Sequence, residues 1–214
     1  HNKKQIPCEQ TPQSVFAMDA ILQNIPNARF IVMVRDPREV LLSQKGKWKR
    51  RQLSGGKIPW FESVRSRINY HPVTISRIWN AVYHEALRFE HHEAVLLIRY
   101  EDLTDRPEET VRNICNHCAI EFNPVMLDVP VVGSSNYNDS TQRRGIEKSR
   151  RGQWSSGLNE AEITICQDIT HELMQKFGYD IVPIHRPAWR TSFYMVLYPL
   201  QLATALLFNL KRLD

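Results

Sequence analysis

An arginine closing a buried strand, with a hydroxyl two helical turns later, suits the holding of a phosphate. The combination occurs in Phe30-Ile-Val-Met-Val-Arg35-Asp36-Pro37-Arg-Glu-Val-Leu-Leu-Ser43. Ligands of parallel α/β folds bind beyond the carboxyl ends of the strands. There Arg35 presents a planar donor fork matched to phosphate oxygens. Ser43, eight residues on, can add a hydroxyl from the same side of a helix. Taken alone, the same pattern also describes an Arg that caps a strand and a Ser on a helix surface.

Two further stretches carry chemistry. In Val95-Leu-Leu-Ile-Arg99-Tyr100-Glu101-Asp102-Leu103 a second apolar run ends in polar and aromatic residues. Tyr100 can stack on a base or bond to it, and Glu101 can pair with a nearby Arg; a strand end followed by a capped helix is the plainer account. In Gln142-Arg143-Arg144-Gly145-Ile-Glu-Lys148-Ser149-Arg150-Arg151-Gly152-Gln153-Trp154, five cations fall within residues 143–151 of a Gly-containing segment. That suits a clamp on a polyanion, and equally a solvated basic face. Cys115-Asn-His-Cys118 has the spacing of half a zinc site, but a closed site needs four ligands. Both thiols share a helical apolar pattern with Val111, Ile114 and Ile120, so they read as core residues and no metal is expected.

The elements that must position these residues follow from periodicity. Residues 12–23 read as a helix, with Thr11 as its cap, Pro12 in its first turn, and Val15, Met18, Ile21 and Leu22 on one stripe. Residues 29–34 and 94–98 are continuous apolar runs, as expected of parallel strands buried on both faces. Helices are expected from Pro37, over 74–89, 108–118 and 160–177. Residues 51–59 and 129–149, rich in Gly, Ser, Asn and Pro, read as loops. Strands alternating with helices predict a three-layer α/β fold.

Composition sets the outer bounds. The chain has 214 residues, 42% hydrophobic and 24% charged, enough to bury a substantial core without disulfides or metal. Its net charge of +5 suits an anionic ligand such as a nucleotide, an acidic glycan or a lipid surface, and gives no reason to invoke nucleic acid. Nothing in the cysteine pattern demands an oxidising compartment, so a cytoplasmic location, peripheral to a membrane, is expected.

Taken in this order, the three stretches resemble the PAPS-dependent sulfotransferases, where PAPS is 3′-phosphoadenosine 5′-phosphosulfate. The resemblance spans roughly residues 9–180. It implies a parallel-sheet, P-loop-NTPase-like sulfotransferase fold, and that Arg35 and Ser43 bind the 3′-phosphate. Tyr100 matches a tyrosine near the nucleotide. Lys148, Arg150, Arg151 and Gly152 match a late basic loop that ends in Gly-x-Trp and covers that phosphate. Cys8-Glu9-Gln10-Thr11-Pro12 is similar to a Glu-Lys-Thr-Pro segment of many members, with Gln10 where those carry Lys. The family's Gly-rich 5′-phosphosulfate loop has no counterpart here, since Gly55-Gly56-Lys57 lacks a preceding strand and a following helix. Residues 1–183 are therefore expected to form the C-terminal portion of a sulfotransferase domain, N-terminally truncated and inactive by itself.

The resemblance implies in-line transfer of a sulfuryl group from PAPS, without metal, to a hydroxyl or amine of a small molecule, carbohydrate or lipid. The base itself is not identified; Glu9 is the one nearby candidate, and a structural role is the better account of it. Tyr70-His71-Pro72 and Trp79 resemble members that act on carbohydrates or lipids. A P-loop kinase or NTPase relative, or a non-catalytic module binding anionic glycans or lipids, are the alternatives. Residues 184–214 form an apolar tail. Within 192–214, Gln201, Ala205, Asn209 and Arg212 share one helical face, with Leu200, Leu207 and Leu210 off it. An interfacial membrane helix and a helix docked on its own domain both fit; a spanning helix fits less well, because Pro199 and Gln201 interrupt a short apolar run.

Overall fold

A computed structural model of the chain describes residues 6–49, 59–130, 144–146, 151–184 and 188–210. Two strands, β1 (Phe30–Val34) and β2 (Val95–Arg99), pair in parallel. Their register runs from Phe30 opposite Val95 to Val34 opposite Arg99. Parallel pairing requires a long crossover, here supplied by α2 (Pro37–Gly46), α3 (Trp60–Ile68) and α4 (Pro72–Leu87). Helix α1 (Met18–Asn24) precedes β1; α5 (Tyr100–Asp105), α6 (Pro107–His117), the single turn α7 (Trp154–Gly157), α8 (Glu160–Lys176) and α9 (Ala188–Asn209) follow β2. The fold is α/β.

Helices α4 and α8 cover one face of the strand pair. Val34 and Val95 from the strands pack there with Trp79 and Tyr83 of α4 and Leu173 and Met174 of α8. The alternate side chains of β1 behave differently from the expectation of a strand buried on both faces. Ile31 and Met33 are 43% and 41% exposed. Successive strand residues point to opposite faces, so the helices that cover Phe30, Val32 and Val34 cannot reach these two.

Helix starts follow local chemistry. Asp36 caps α2 by accepting from the Arg38 amide at 2.8 Å, with Pro37 in the first turn where no amide is needed. Helix α4 begins two residues before the expected Thr74, because the His71 ring accepts from the Val73 amide and Pro72 fits the first turn. Asn159 and Glu162 form a reciprocal capping box at the start of α8. The expected cap at Thr11 is corrected: its hydroxyl donates to Glu9 instead, and residues 12–17 wind as a 3₁₀ turn before α1.

The tail is helical over Ala188–Asn209, and its polar stripe lies on the body of the protein. Asn159 donates to the Tyr194 hydroxyl at 3.2 Å, the Gln201 amide donates to the Ile68 carbonyl, and Asn209 donates to Asn69 at 2.8 Å. The expected loop at 51–59 lies outside the described residues except for Pro59, and most of the loop at 129–149 also lies outside them.

Candidate functional site

The register of the two strands decides what meets what. Val34 pairs with Arg99, so the residues that leave the sheet next, Arg35 and Tyr100, emerge side by side. The Arg35 guanidinium lies over the Tyr100 ring, 4.5 Å from its centroid. Stacking against an aromatic face fixes the plane of the guanidinium. Ser43 sits half-buried on α2, two turns beyond Arg35. Two of the residues singled out from sequence thus meet at one strand-end edge, and Ser43 lies farther along α2.

Helix α4 fixes this edge from below. Trp79 donates its indole N–H to the Arg35 carbonyl at 3.0 Å, and the Tyr83 hydroxyl donates to the Met33 carbonyl at 2.8 Å. The carbonyls of Met33 in β1 and of Arg35 just beyond it are therefore satisfied by aromatic side chains, which sets the height of the strand end. Burial, with the Glu101 charge adding, pushes the Tyr83 hydroxyl up to about 12, so it stays a donor across the physiological range. His71, Pro72 and Trp79 are buried, and the Tyr70 hydroxyl donates to Glu162 at 2.7 Å.

A second ring of contacts, not read from the sequence, locks the turn after Arg35. The Asp36 carboxylate holds the Arg38 guanidinium at 2.6 Å, and both side chains are buried. Arg38 also donates to Gln167 on α8 and to the Asp180 carbonyl, both at 3.0 Å. The Trp154 ring covers the guanidinium at 4.1 Å. The Asp-Pro pair signalled a helix cap, and that signal placed Asp36; nothing local to Arg38 named partners at 154, 167 and 180.

Glu39 is the other residue missed. It is buried one turn into α2, with its carboxylate 3.7 Å from Arg35 and facing the backbone amides of Gly152 and Trp154. Burial raises its pKa above the ordinary carboxylate range, against the lowering influence of Arg35. Glu39 thus stands between the strand-end arginine and the Gly152-Gln-Trp154 segment. Gly152 adopts φ +77°, a left-handed conformation that favours glycine, and turns the chain there.

The remaining sequence candidates are placed as follows. Arg151 pairs with Asp105 at 2.6 Å, and Arg144 with Asp128 at 2.8 Å, so the two described cations of the basic segment each hold a carboxylate. Lys148 and Arg150 lie outside the described residues. Glu9 is exposed, and among the described residues no hydrogen bond or ion pair joins it to the Arg35–Tyr100 edge. Glu101 pairs with an arginine as expected: Arg99 is 3.9 Å away, and Glu101 also accepts from the Tyr179 hydroxyl at 2.8 Å. Cys115 and Cys166 are buried; burial pushes the Cys166 thiol up to about 12, which makes it an inert core residue.

Comparison with known proteins gives the context for this edge. Among solved structures, a sulfotransferase domain from the curacin biosynthetic pathway is similar, with 20% sequence identity and a TM-score of 0.48. The alignment covers 80% of this chain and 60% of that one, so the chain spans less than two thirds of that structure's length. No curated protein matches. The family model described as the sulfotransferase family matches residues 1–124, which include β1, β2 and the Arg35–Tyr100 edge between them. The chain belongs to the sulfotransferase family.

Proposed function

We propose that this chain binds the adenine nucleotide of PAPS at the Arg35–Tyr100 edge and serves transfer of its sulfuryl group to a hydroxyl or amine. The observation that carries the reading is the stacked Arg35–Tyr100 pair at the carboxyl ends of two parallel strands, with Ser43 on the following helix. A guanidinium held flat on an aromatic ring is preorganised for a dianionic phosphate, because little side-chain freedom is lost on binding. Tyr100 and Arg35 would face the 3′-phosphate end of the nucleotide, Ser43 would add a hydroxyl bond, and the Gly152–Trp154 segment would close over it. The full fold proposed is the three-layer, P-loop-like sheet of sulfotransferases.

In the transfer, an acceptor oxygen or nitrogen forms a bond to sulfur as the bond from sulfur to the 5′-phosphate oxygen breaks. The acceptor proton passes to a general base, and 3′-phosphoadenosine 5′-phosphate (PAP) departs with the bonding pair. The residues described above act on the donor: they hold and orient the leaving nucleotide. The acceptor proposed is a small molecule, carbohydrate or lipid.

Thermal protection separates this reading from its rivals. PAP should raise the melting temperature of the chain, and ATP should not. Protection by ATP with none by PAP would assign the site to a kinase or NTPase relative. Protection by neither, with binding of sulfated glycans, would leave a non-catalytic anion-binding module.

A further inference from the structure

Helix α9 is inverted relative to an ordinary surface helix: its polar residues face the protein and its apolar residues face out. Tyr194, Gln201 and Asn209 are spent on hydrogen bonds to Asn159, to the Ile68 carbonyl and to Asn69. The rings of Tyr194 and Tyr198 lie 5.7 and 5.1 Å from that of His71. On the opposite side Trp189, Val196, Leu200 and Leu207 are 70%, 76%, 68% and 67% exposed. The surface continues onto α3, where Trp60 and Phe61 are exposed and Phe61 stacks on Phe208 with centroids 6.1 Å apart. An apolar surface built from two elements, with its polar residues turned away, marks an interaction face.

Charge selects the occupant. No acidic residue lies between Asp180 and Asp214, while Arg186, Arg190, Lys211 and Arg212 bracket the apolar run at both ends. A second copy seated on this face would set cations against cations whichever way the two helices ran. Anionic headgroups neutralise both ends at once. Trp189 and Trp60 are of the type that settles at the headgroup boundary. By length and composition α9 could also cross a membrane. Crossing would strip Gln201 and Asn209 of their partners and bury them in hydrocarbon, whereas lying in the interface keeps every one of these bonds.

We propose that the face formed by α9 and the start of α3 binds the surface of an anionic phospholipid bilayer, with α9 lying in the interfacial plane. The test is flotation of the whole chain with phosphatidylcholine vesicles, with and without phosphatidylserine. The chain should float with the anionic vesicles, and the doubly substituted Val196→Glu, Leu207→Glu chain should not. Both positions face solvent, so the variant's melting temperature and PAP binding should be unchanged, which separates this test from the donor reading. Arg190→Gln should lower partitioning onto anionic vesicles about fivefold and leave zwitterionic vesicles unaffected. The proposal is overturned if the native chain does not float with anionic vesicles, or if the double substitution leaves flotation intact. A concentration-dependent dimer in vesicle-free buffer, dissolved by the same substitutions, would give the face to a second copy. Protease protection of residues 188–209 inside sealed vesicles would give it to a spanning helix.

Discussion

At the scale of single residues, the proposed donor site rests most on Arg35. Arg35→Ala should cost about 2–4 kcal/mol of PAP affinity, because a dianionic phosphate loses a bidentate charged partner. AMP, which lacks the 3′-phosphate, should bind the variant almost as it binds the native chain, so calorimetry should show the preference for PAP largely erased. Ser43→Ala should cost about 1.5–3 kcal/mol in the same comparison, and Arg35→Lys should restore only part, since an ammonium cannot make the forked contact. An unchanged PAP-to-AMP ratio in Arg35→Ala would remove this arginine from the 3′-phosphate. Arg38 is a different arginine with a different task. It is buried with Asp36, so Arg38→Met should strand a buried carboxylate and destabilise by about 3–5 kcal/mol. Combining it with Asp36→Asn should recover much of that loss, because Asn still caps α2 and no unpaired charge is left. Urea midpoints of the two variants give the comparison. The place of Arg35 at a strand end was legible in the sequence because the apolar run stops at Val34. Arg38 was not, because what defines it is the distance in sequence to Gln167, Asp180 and Trp154.

At the scale of elements, the apolar runs and helical stripes gave the strands and the long helices to within a few residues, because period and capping chemistry are local. They did not give exposure. The run at 30–34 reads as buried on both faces, but whether a face is covered depends on what packs there, and Ile31 and Met33 show that local pattern alone overstates it. The tail shows the same limit in reverse: its two faces were legible, and which of them would find the body was not. The junction of α4 and α9 makes a pH prediction. His71 is buried between Val73, Tyr194 and Tyr198, with the Arg77 guanidinium 5.4 Å from the Tyr198 ring. Burial lowers its pKa below 6.5, with the Tyr194 backbone opposing. A depressed histidine pKa means that folding resists protonation. Stability is therefore full above the unfolded value and is lost as pH falls below it, towards the folded value. The melting temperature should fall between about pH 7 and pH 5. His71→Asn, which can still accept from the Val73 amide, should flatten that decline; an equal decline in the variant would place the titrating group elsewhere.

At the scale of the whole molecule, the site is a consequence of one register and one long-range closure. The register brings Arg35 to Tyr100, and the closure ties Arg38 forward to α8 and the segment after it. Chains are made from the amino terminus, and domains tend to form as they emerge. Yet Arg38 must wait for Gln167, 129 residues later, and for Asp180, 142 residues later, before its guanidinium is satisfied. Contacts this distant in sequence are slow to form, because the loop must be closed before they stabilise anything. The turn after Arg35 is thus made well before the residues that secure it. On ribosome-bound chains, a nascent polypeptide ended after Ile165 should keep residues 36–46 open to protease, and one with Ile184 fully outside the exit tunnel should not. During that interval the Asp36–Arg38 pair is unlocked and the strand uncovered, so the growing chain should bind chaperones until α8 and the residues after it arrive.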